Sequence, residues 1–189
     1  MNFLKYYKLI NIILILLLSS PIAYAKAGIN ENNLVQPKSI TVDKSLDKTK
    51  ASQMIRAARL FYTFWNTGDQ AYLNAVVAPN FIDNTLPKGR PQGPEGPKFA
   101  SVNFRKAVPD LNCSVEDLLI VGDKVTARLV FRGTFKGEFM GHAPTNKLIE
   151  FFAIDILHIK NGRLIEDWHL EDNLNLMQQL NAVKMVSGE

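Results

Sequence analysis

Near the end of the chain, residues 165–173 read Ile-Glu-Asp-Trp-His-Leu-Glu-Asp-Asn, which sets four carboxylates around the imidazole of His169. An unperturbed imidazole titrates near pH ~6.5, so it can take and return a proton under neutral conditions. A carboxylate within hydrogen-bond reach fixes its tautomer and favours its charged form. The same stretch also reads as a solvated strand end, with Glu166, Asp167 and Glu171 facing water and Asp172 capping a helix. Asp155 is the sharper candidate. It interrupts the apolar set Phe151, Ala153, Leu157 and Ile159, and a carboxylate on a buried strand face must be paired or functional.

Other chemistry finds less support. His142, His158 and His169 have no ligand-like spacing, so no metal is expected. His158 reads as an exposed strand residue and His142 as a loop residue. No Ser-His-Asp elbow and no phosphate-type glycine loop is present, and no cofactor is expected. Cys113 is the only cysteine and lies in an alternating pattern, where it reads as a small buried hydrophobe. Phe61, Phe64 and Trp65 read as core.

The elements that must position these residues can be traced along the chain. Met54, Ala57, Ala58, Phe61, Phe64 and Trp65 recur at steps of three and four, which predicts a helix from about Ser52 to the Asn66-Thr67-Gly68 stop. Asp69 caps a second short helix through Val77, and Phe81-Ile82 suggest a short strand. Residues 87–98 are rich in Pro and Gly and form a loop, with a third helix over 95–107. The period then changes to two. Val115–Ile120, Val125–Phe135, Leu148–Ile159 and Leu164–Leu170 read as strands, with turns at Gly122-Asp123 and Asn161-Gly162. Asp172 caps a last short helix. Helices followed by a meander make an α+β domain. We expect a cone-shaped, curved antiparallel (mixed) sheet covered by the N-terminal helices, with a pocket inside.

The first 25 residues read as a signal peptide. Lys5 and Lys8 precede an apolar run from Leu9 to Leu18, and Ala23-Tyr24-Ala25 is an Ala-x-Ala exit. We expect cleavage after Ala25, a periplasmic or secreted product and no membrane association once it is removed. Residues 26–50 lack apolar periodicity and read as a flexible leader, leaving 51–185 as one domain. The chain carries a net charge of +4, and removing Lys5 and Lys8 with residues 1–25 leaves 20 basic against 18 acidic residues, or +2. That balance makes no case for nucleic-acid binding.

Several stretches resemble the SnoaL-like polyketide cyclases, or ester cyclases, of the nuclear-transport-factor-2-like (cystatin-like) superfamily. They are FWNTGD (64–69), APNFIDN (78–84), VPDLNCSVEDLLIVGDKV (108–125), GEFMGHAPTN (137–146), IDILHIKNGRLIEDWHLEDN (154–173) and LMQQL (176–180). The resemblance implies a small-molecule pocket in the open end of the cone. It also implies ring closure of a polyketide ester by intramolecular aldol condensation, without metal or cofactor, and a habit of dimerising through the sheet. The family's acid/base carboxylate position falls here on His169, and its assisting histidine position on Asp155. Its polar pocket position falls on Asp83. The two key residue types are thus exchanged.

His169 as base with Asp155 as its orienting group is the resulting expectation, with Trp168, Phe135, Phe151 and Tyr62 as an apolar wall. Hairpin register decides whether the pair can meet. If Asn161-Gly162 closes a two-residue type I′ turn, residue 160 pairs with 163 and Asp155 faces Trp168. If a bulge at Gly162 lets 159 pair with 163, Asp155, Asp167 and His169 share one face. Asn-Gly favours the first register; the resemblance favours the second, which we adopt. The functional expectation is an exported protein binding a small apolar carbonyl compound, with cyclase or isomerase chemistry. The alternatives are a non-catalytic binder or a dimeric interaction module of the same fold.

Overall fold

The computed structural model describes residues 29–183. The expected signal peptide and its cleavage site lie outside the described residues. Helix α1 (Lys48–Thr67) begins four residues before Ser52, because the Asp47 side chain accepts from the Lys50 N–H and caps it there. It stops at Gly68, whose φ of +75° suits glycine and whose N–H donates to the Phe64 carbonyl. Helix α2 (Gln70–Val76) is capped by Asp69, and α3 (Glu95–Ala107) follows the Pro- and Gly-rich loop. Helix α4 (Asn173–Gln179) starts at Asp172, whose side chain accepts from the Asn175 N–H.

Six strands form one sheet: β1 (Ile40–Val42), β2 (Val77–Asp83), β3 (Asn112–Val121), β4 (Lys124–Thr134), β5 (Leu148–Lys160) and β6 (Arg163–Glu171). Their order is β1-β3-β4-β5-β6-β2, so the sheet is open and has two edges. β3 to β6 form the expected antiparallel meander, while β1 joins β3 and β2 joins β6 in parallel, which makes the sheet mixed. The fold class is α+β, as the sequence pattern implies.

Residues 29–50 are not a free leader. Leu34 is buried in the core, the Val35 N–H donates to Thr63 Oγ1, and β1 pairs with β3. A three-residue strand is too short to show an alternating pattern in sequence, and its stability comes from the partner strand rather than its own apolar surface. Residues 26–28 lie outside the described span.

The core forms where α1 crosses the inner face of the sheet. Strict alternation buries Ile149, Phe151, Ala153, Asp155, Leu157 and Ile159 of β5 and leaves the residues between them facing outward or only partly covered. Met54, Phe61 and Phe64 of α1 press onto that face with Leu118, Leu129 and Leu157. Burying each such side chain contributes ~1.5–3 kcal/mol, and Phe61→Ala would cost ~3–5 kcal/mol through the cavity it leaves.

The hairpin between β5 and β6 combines the type I′ turn with a bulge. Lys160 pairs with Arg163 across a two-residue turn in which Asn161 and Gly162 have φ of +51° and +71°, as a type I′ turn requires. The ladder then slips: Ile159 pairs with Leu164 but His158 pairs with Glu166, so Ile165 is the extra residue of a β-bulge. The bulge sits in β6 and not at Gly162. Beyond it Leu157 faces Asp167 and Asp155 faces His169, which is the one-face arrangement. A one-residue slip moves every later side chain to the other face, and here it turns Asp167, His169 and Glu171 inward.

Candidate functional site

The inward side chains of β6 meet the end of β2. Asp83 pairs with Asp167 in register, and the Asn84 N–H donates to the Asp167 carbonyl. On this wall His169 holds a carboxylate at each ring nitrogen: Asp83 Oδ2 lies 3.2 Å from Nε2, and Glu171 Oε1 lies 2.9 Å from Nδ1. Asp83 is itself fixed, since its Oδ1 accepts from the Thr85 N–H at 2.9 Å and the Thr85 hydroxyl at 3.3 Å. The loop after β2 is pinned by Gln92, which accepts from the Asp83 N–H and donates to the Asp83 carbonyl. It is pinned again by the His169 N–H, which donates to Thr85 Oγ1. These ties bring Arg90 to the cluster, with Nη1 3.7 Å from Asp83 Oδ2.

The cluster forms one wall of a cavity of about 610 Å³. The rest of the lining is largely apolar and rich in aromatic rings, with Trp65 from α1, Phe104 from α3, Phe131 from β4 and Phe151 from β5. Phe131 and Phe151 stack with centroids 5.1 Å apart, and Phe104 meets Phe151 edge-on at 5.9 Å. Phe139 closes this side, 5.2 Å from Phe104. Its segment can approach because Gly137 has no side chain: a Cβ there would stand 2.1 Å from the Lys106 carbonyl oxygen. Among the described residues no group of His, Cys, Asp or Glu is arranged to hold a metal ion.

Burial and pairing divide the acids into two kinds. Burial opposes ionisation of Asp83, but the His169 hydrogen bond and charge, the Thr85 N–H and Arg90 outweigh it and hold the carboxyl below its usual value. Glu171 is likewise held low by His169 and Arg90 against burial. Burial alone would favour neutral imidazole, yet the hydrogen bonds and charges of Asp83 and Glu171 push His169 up to about 10. Asp155, only 6% exposed, is raised by burial to about 7, with His169 opposing the rise and Glu171 adding to it. Asp167, 4% exposed, is raised to about 8 by burial and then by the charge of Asp83. Its Oδ1 is buried without a hydrogen-bond partner. At neutral pH the wall therefore holds an imidazolium, two ionised carboxylates and two carboxyls poised to exchange protons.

The residues singled out in the sequence fall into three groups. His169, Asp155, Asp83 and Phe151 all line the cavity. Asp155 and His169 are cross-strand neighbours, but the expected hydrogen bond between them is not formed. The imidazole is taken by Asp83 and Glu171, and Asp155 Oδ2 instead accepts from the Tyr62 hydroxyl at 3.2 Å. Tyr62 and Phe135 are fully buried in the core and stand outside the cavity lining, so neither is an apolar wall to it. Trp168 is a correction of another kind. The inward turn of Asp167 and His169 sends it to the outer face of the sheet, where the Lys124 ammonium lies 4.7 Å from its ring.

Sequence reasoning missed Glu171 as a wall residue, reading it as solvated, and placed Asp167 on the inner face only through the adopted register while also reading it as solvated. Period-two spacing from His169 was the available signal. It also missed Arg90, which sits in an irregular loop where no periodicity points at a partner. His142 pairs through its backbone with Phe139 and is not part of the lining.

Comparison with known proteins agrees with this architecture. The chain is 32% identical over 123 residues to the aklanonic acid methyl ester cyclase AcmA of Streptomyces galilaeus, a match covering 62% of this chain and 84% of that protein. A crystal structure from Bacillus cereus ATCC 10987, provisionally named a polyketide cyclase, is 54% identical with a TM-score of 0.74, covering 80% of this chain and 95% of that one. TsrD from Streptomyces laurentii is 28% identical with a TM-score of 0.62, covering 74% and 100%. The family model for SnoaL-like polyketide cyclases matches residues 55–180, from within α1 to the end of α4, and the chain belongs to that family.

Proposed function

We propose that this chain binds a small apolar carbonyl compound in the aromatic cavity and performs aldol-type acid/base chemistry on it, as a cyclase or isomerase. The observation that carries the reading is the pair of buried carboxyls, Asp155 near 7 and Asp167 near 8, on one wall of that cavity. A general base works best when its pKa lies near the working pH. Asp155, steadied by Tyr62, takes the proton from the carbon next to a carbonyl. The resulting enolate carbon attacks a second carbonyl of the same molecule, forming the new carbon–carbon bond. Asp167, largely protonated at neutral pH, gives its proton to the alkoxide. His169 is not the base, because it already holds its proton; with its charge fixed by Asp83 and Glu171, it supplies a positive field for the developing oxyanion.

The basic start, apolar run and Ala-x-Ala exit support export of the chain to the periplasm or beyond. Exposed Leu119, Phe152, Ile154 and Ile156 on the outer face of the sheet support a dimer, which sedimentation analysis would test. A non-catalytic binder is the second reading. It is favoured by the occupation of both His169 ring nitrogens, which leaves the imidazolium no free donor for a substrate oxygen.

The test follows hydrogen–deuterium exchange at the carbon acid, and ring closure, with aklanonic acid methyl ester, simpler 1,3-dicarbonyl esters and aromatic keto acids as probes. Exchange should rise as pH passes through about 7, and Asp155→Asn should lower it ~10²–10⁴-fold. Exchange no faster than in buffer for every probe would leave the binder.

A further inference from the structure

Among the described residues, the Arg90 guanidinium meets no committed hydrogen-bond acceptor. Its side chain is 19% exposed and lines the cavity. A guanidinium carries a fork of N–H donors and no acceptor, and covering it without hydrogen bonds is costly. Its nearest carboxylate oxygen, Asp83 Oδ2, stands at 3.7 Å, beyond hydrogen-bond distance. Asp83 does not need it, since His169 and Thr85 already satisfy both oxygens. The other near atom is His169 Nε2, at 3.4 Å from Nη1. That nitrogen cannot accept from Arg90 while its proton is given to Asp83 at 3.2 Å. So, among the described residues, Arg90 has charge pairing but no committed acceptor, and the Gln92 and Thr85 ties hold it in place regardless.

Charge points the same way. The ionised pair Asp83 and Glu171 is matched by His169 and Arg90, while Asp155 and Asp167 are largely or partly protonated at neutral pH. Lys88, on the same loop, also lines the cavity and forms no ion pair among the described residues. The mouth therefore has a surplus of positive charge beside an aromatic interior. Guanidinium forks match carboxylates in a two-point geometry that an ammonium cannot give.

We propose that the natural ligand is an apolar carboxylic acid, bound with its carboxylate on Arg90 at the loop 84–94 and its apolar body between Trp65, Phe104, Phe131 and Phe151. This deepens the proposed function, resting on the same cavity, and makes the carbonyl compound a keto acid. Arg90 is the residue that distinguishes the acid from its neutral analogues, and Lys88 adds attraction without fixed geometry.

Isothermal calorimetry with 2-naphthoate and the neutral 2-naphthamide tests this without requiring turnover. The purified chain should bind naphthoate at least ~10-fold more tightly than the amide, a difference of ~1.4 kcal/mol. Arg90→Gln should weaken naphthoate by ~10-fold or more and leave the amide within about twofold, because only the charged head loses its two-point partner. Lys88→Ala should weaken naphthoate about two- to threefold, an effect that vanishes in high salt. A melting temperature for Arg90→Gln close to that of the parent excludes a folding defect. Equal affinity for acid and amide, equal weakening of both by Arg90→Gln, or no binding of naphthoate would each overturn the proposal. Naphthoate selectivity without deuterium exchange on any probe would instead defeat the catalytic reading and leave this one standing.

Discussion

His158 and His169 lie on adjacent strands, on opposite faces of one sheet, and make the same contacts with opposite consequences. His158 has Glu166 at 2.7 Å from Nδ1 and Asp123 at 3.0 Å from Nε2. His169 has Glu171 at 2.9 Å and Asp83 at 3.2 Å on the corresponding atoms. The outer imidazole is 22% exposed and its partners are more so, and long exposed acids screened by water gain little from such pairing. The inner imidazole is 8% exposed and Asp83 only 2%, with Glu171 reaching water at 29%, so His169 and Asp83 depend on their partners for what water would have supplied. Contacts alone do not identify a site. The same triplet is a surface ornament on one face and a fixed charge within a cavity wall on the other, and burial is what separates them.

The largest test of that contrast exchanges the two side chains at the end of β6. Trp168→His together with His169→Trp turns an indole towards Asp83 and Glu171 and an imidazole to the outer face. Removing the cation while crowding the wall should cost several kcal/mol, on the order of 3–5, in urea unfolding, and should abolish ligand binding. A double variant that unfolds like the parent would show that burial does not set the energetic weight of His169.

Next in size is His169→Gln. It leaves the buried Asp83 and the partly exposed Glu171 without their imidazolium, which should destabilise by ~3 kcal/mol. His158→Gln should cost under ~1 kcal/mol. Similar losses for the two would erase the distinction between the faces.

Titration sharpens it further. Folding raises Asp155 to about 7 and Asp167 to about 8, so the native state holds protons that the unfolded chain has released. Their contribution is fully present below about pH 4, near the unfolded value, and is lost as pH rises through those folded values. His169, raised to about 10, adds stability that is present below about 6.5 and fades as pH climbs towards 10. Unfolding free energy should therefore fall on the alkaline side. Asp167→Asn should flatten the part between pH 4 and 8 and stabilise the protein by ~1–2 kcal/mol at pH 9, since an amide carries no charge to bury. A parent-like slope in that variant would show that Asp167 is not the buried acid described. Smallest of all, Glu166→Gln on the outer face should change stability by no more than about 0.5 kcal/mol in the same assay.

Much of the framework was legible because it rests on local rules. The step of Met54, Phe61 and Phe64 marks α1, Asp69 and Asp172 announce their caps, and the alternation from Phe151 to Ile159 singles out Asp155 as a buried carboxyl. The Asn161-Gly162 turn was equally readable, since positive φ at both positions suits that pair. β1 escaped notice, as its three residues gain their order only from β3.

Periodicity and capping act over a few residues, so the amino-acid order alone set the α+β plan and the strand face that nearby residues share. Tertiary structure alone decided that Ile165 bulges, that Asp83 and Glu171 rather than Asp155 hold His169, and that an irregular loop delivers Arg90 to them. Those outcomes depend on strand register and on contacts between distant segments. The energy that selects them comes from burial, and burial exists only once the chain has folded.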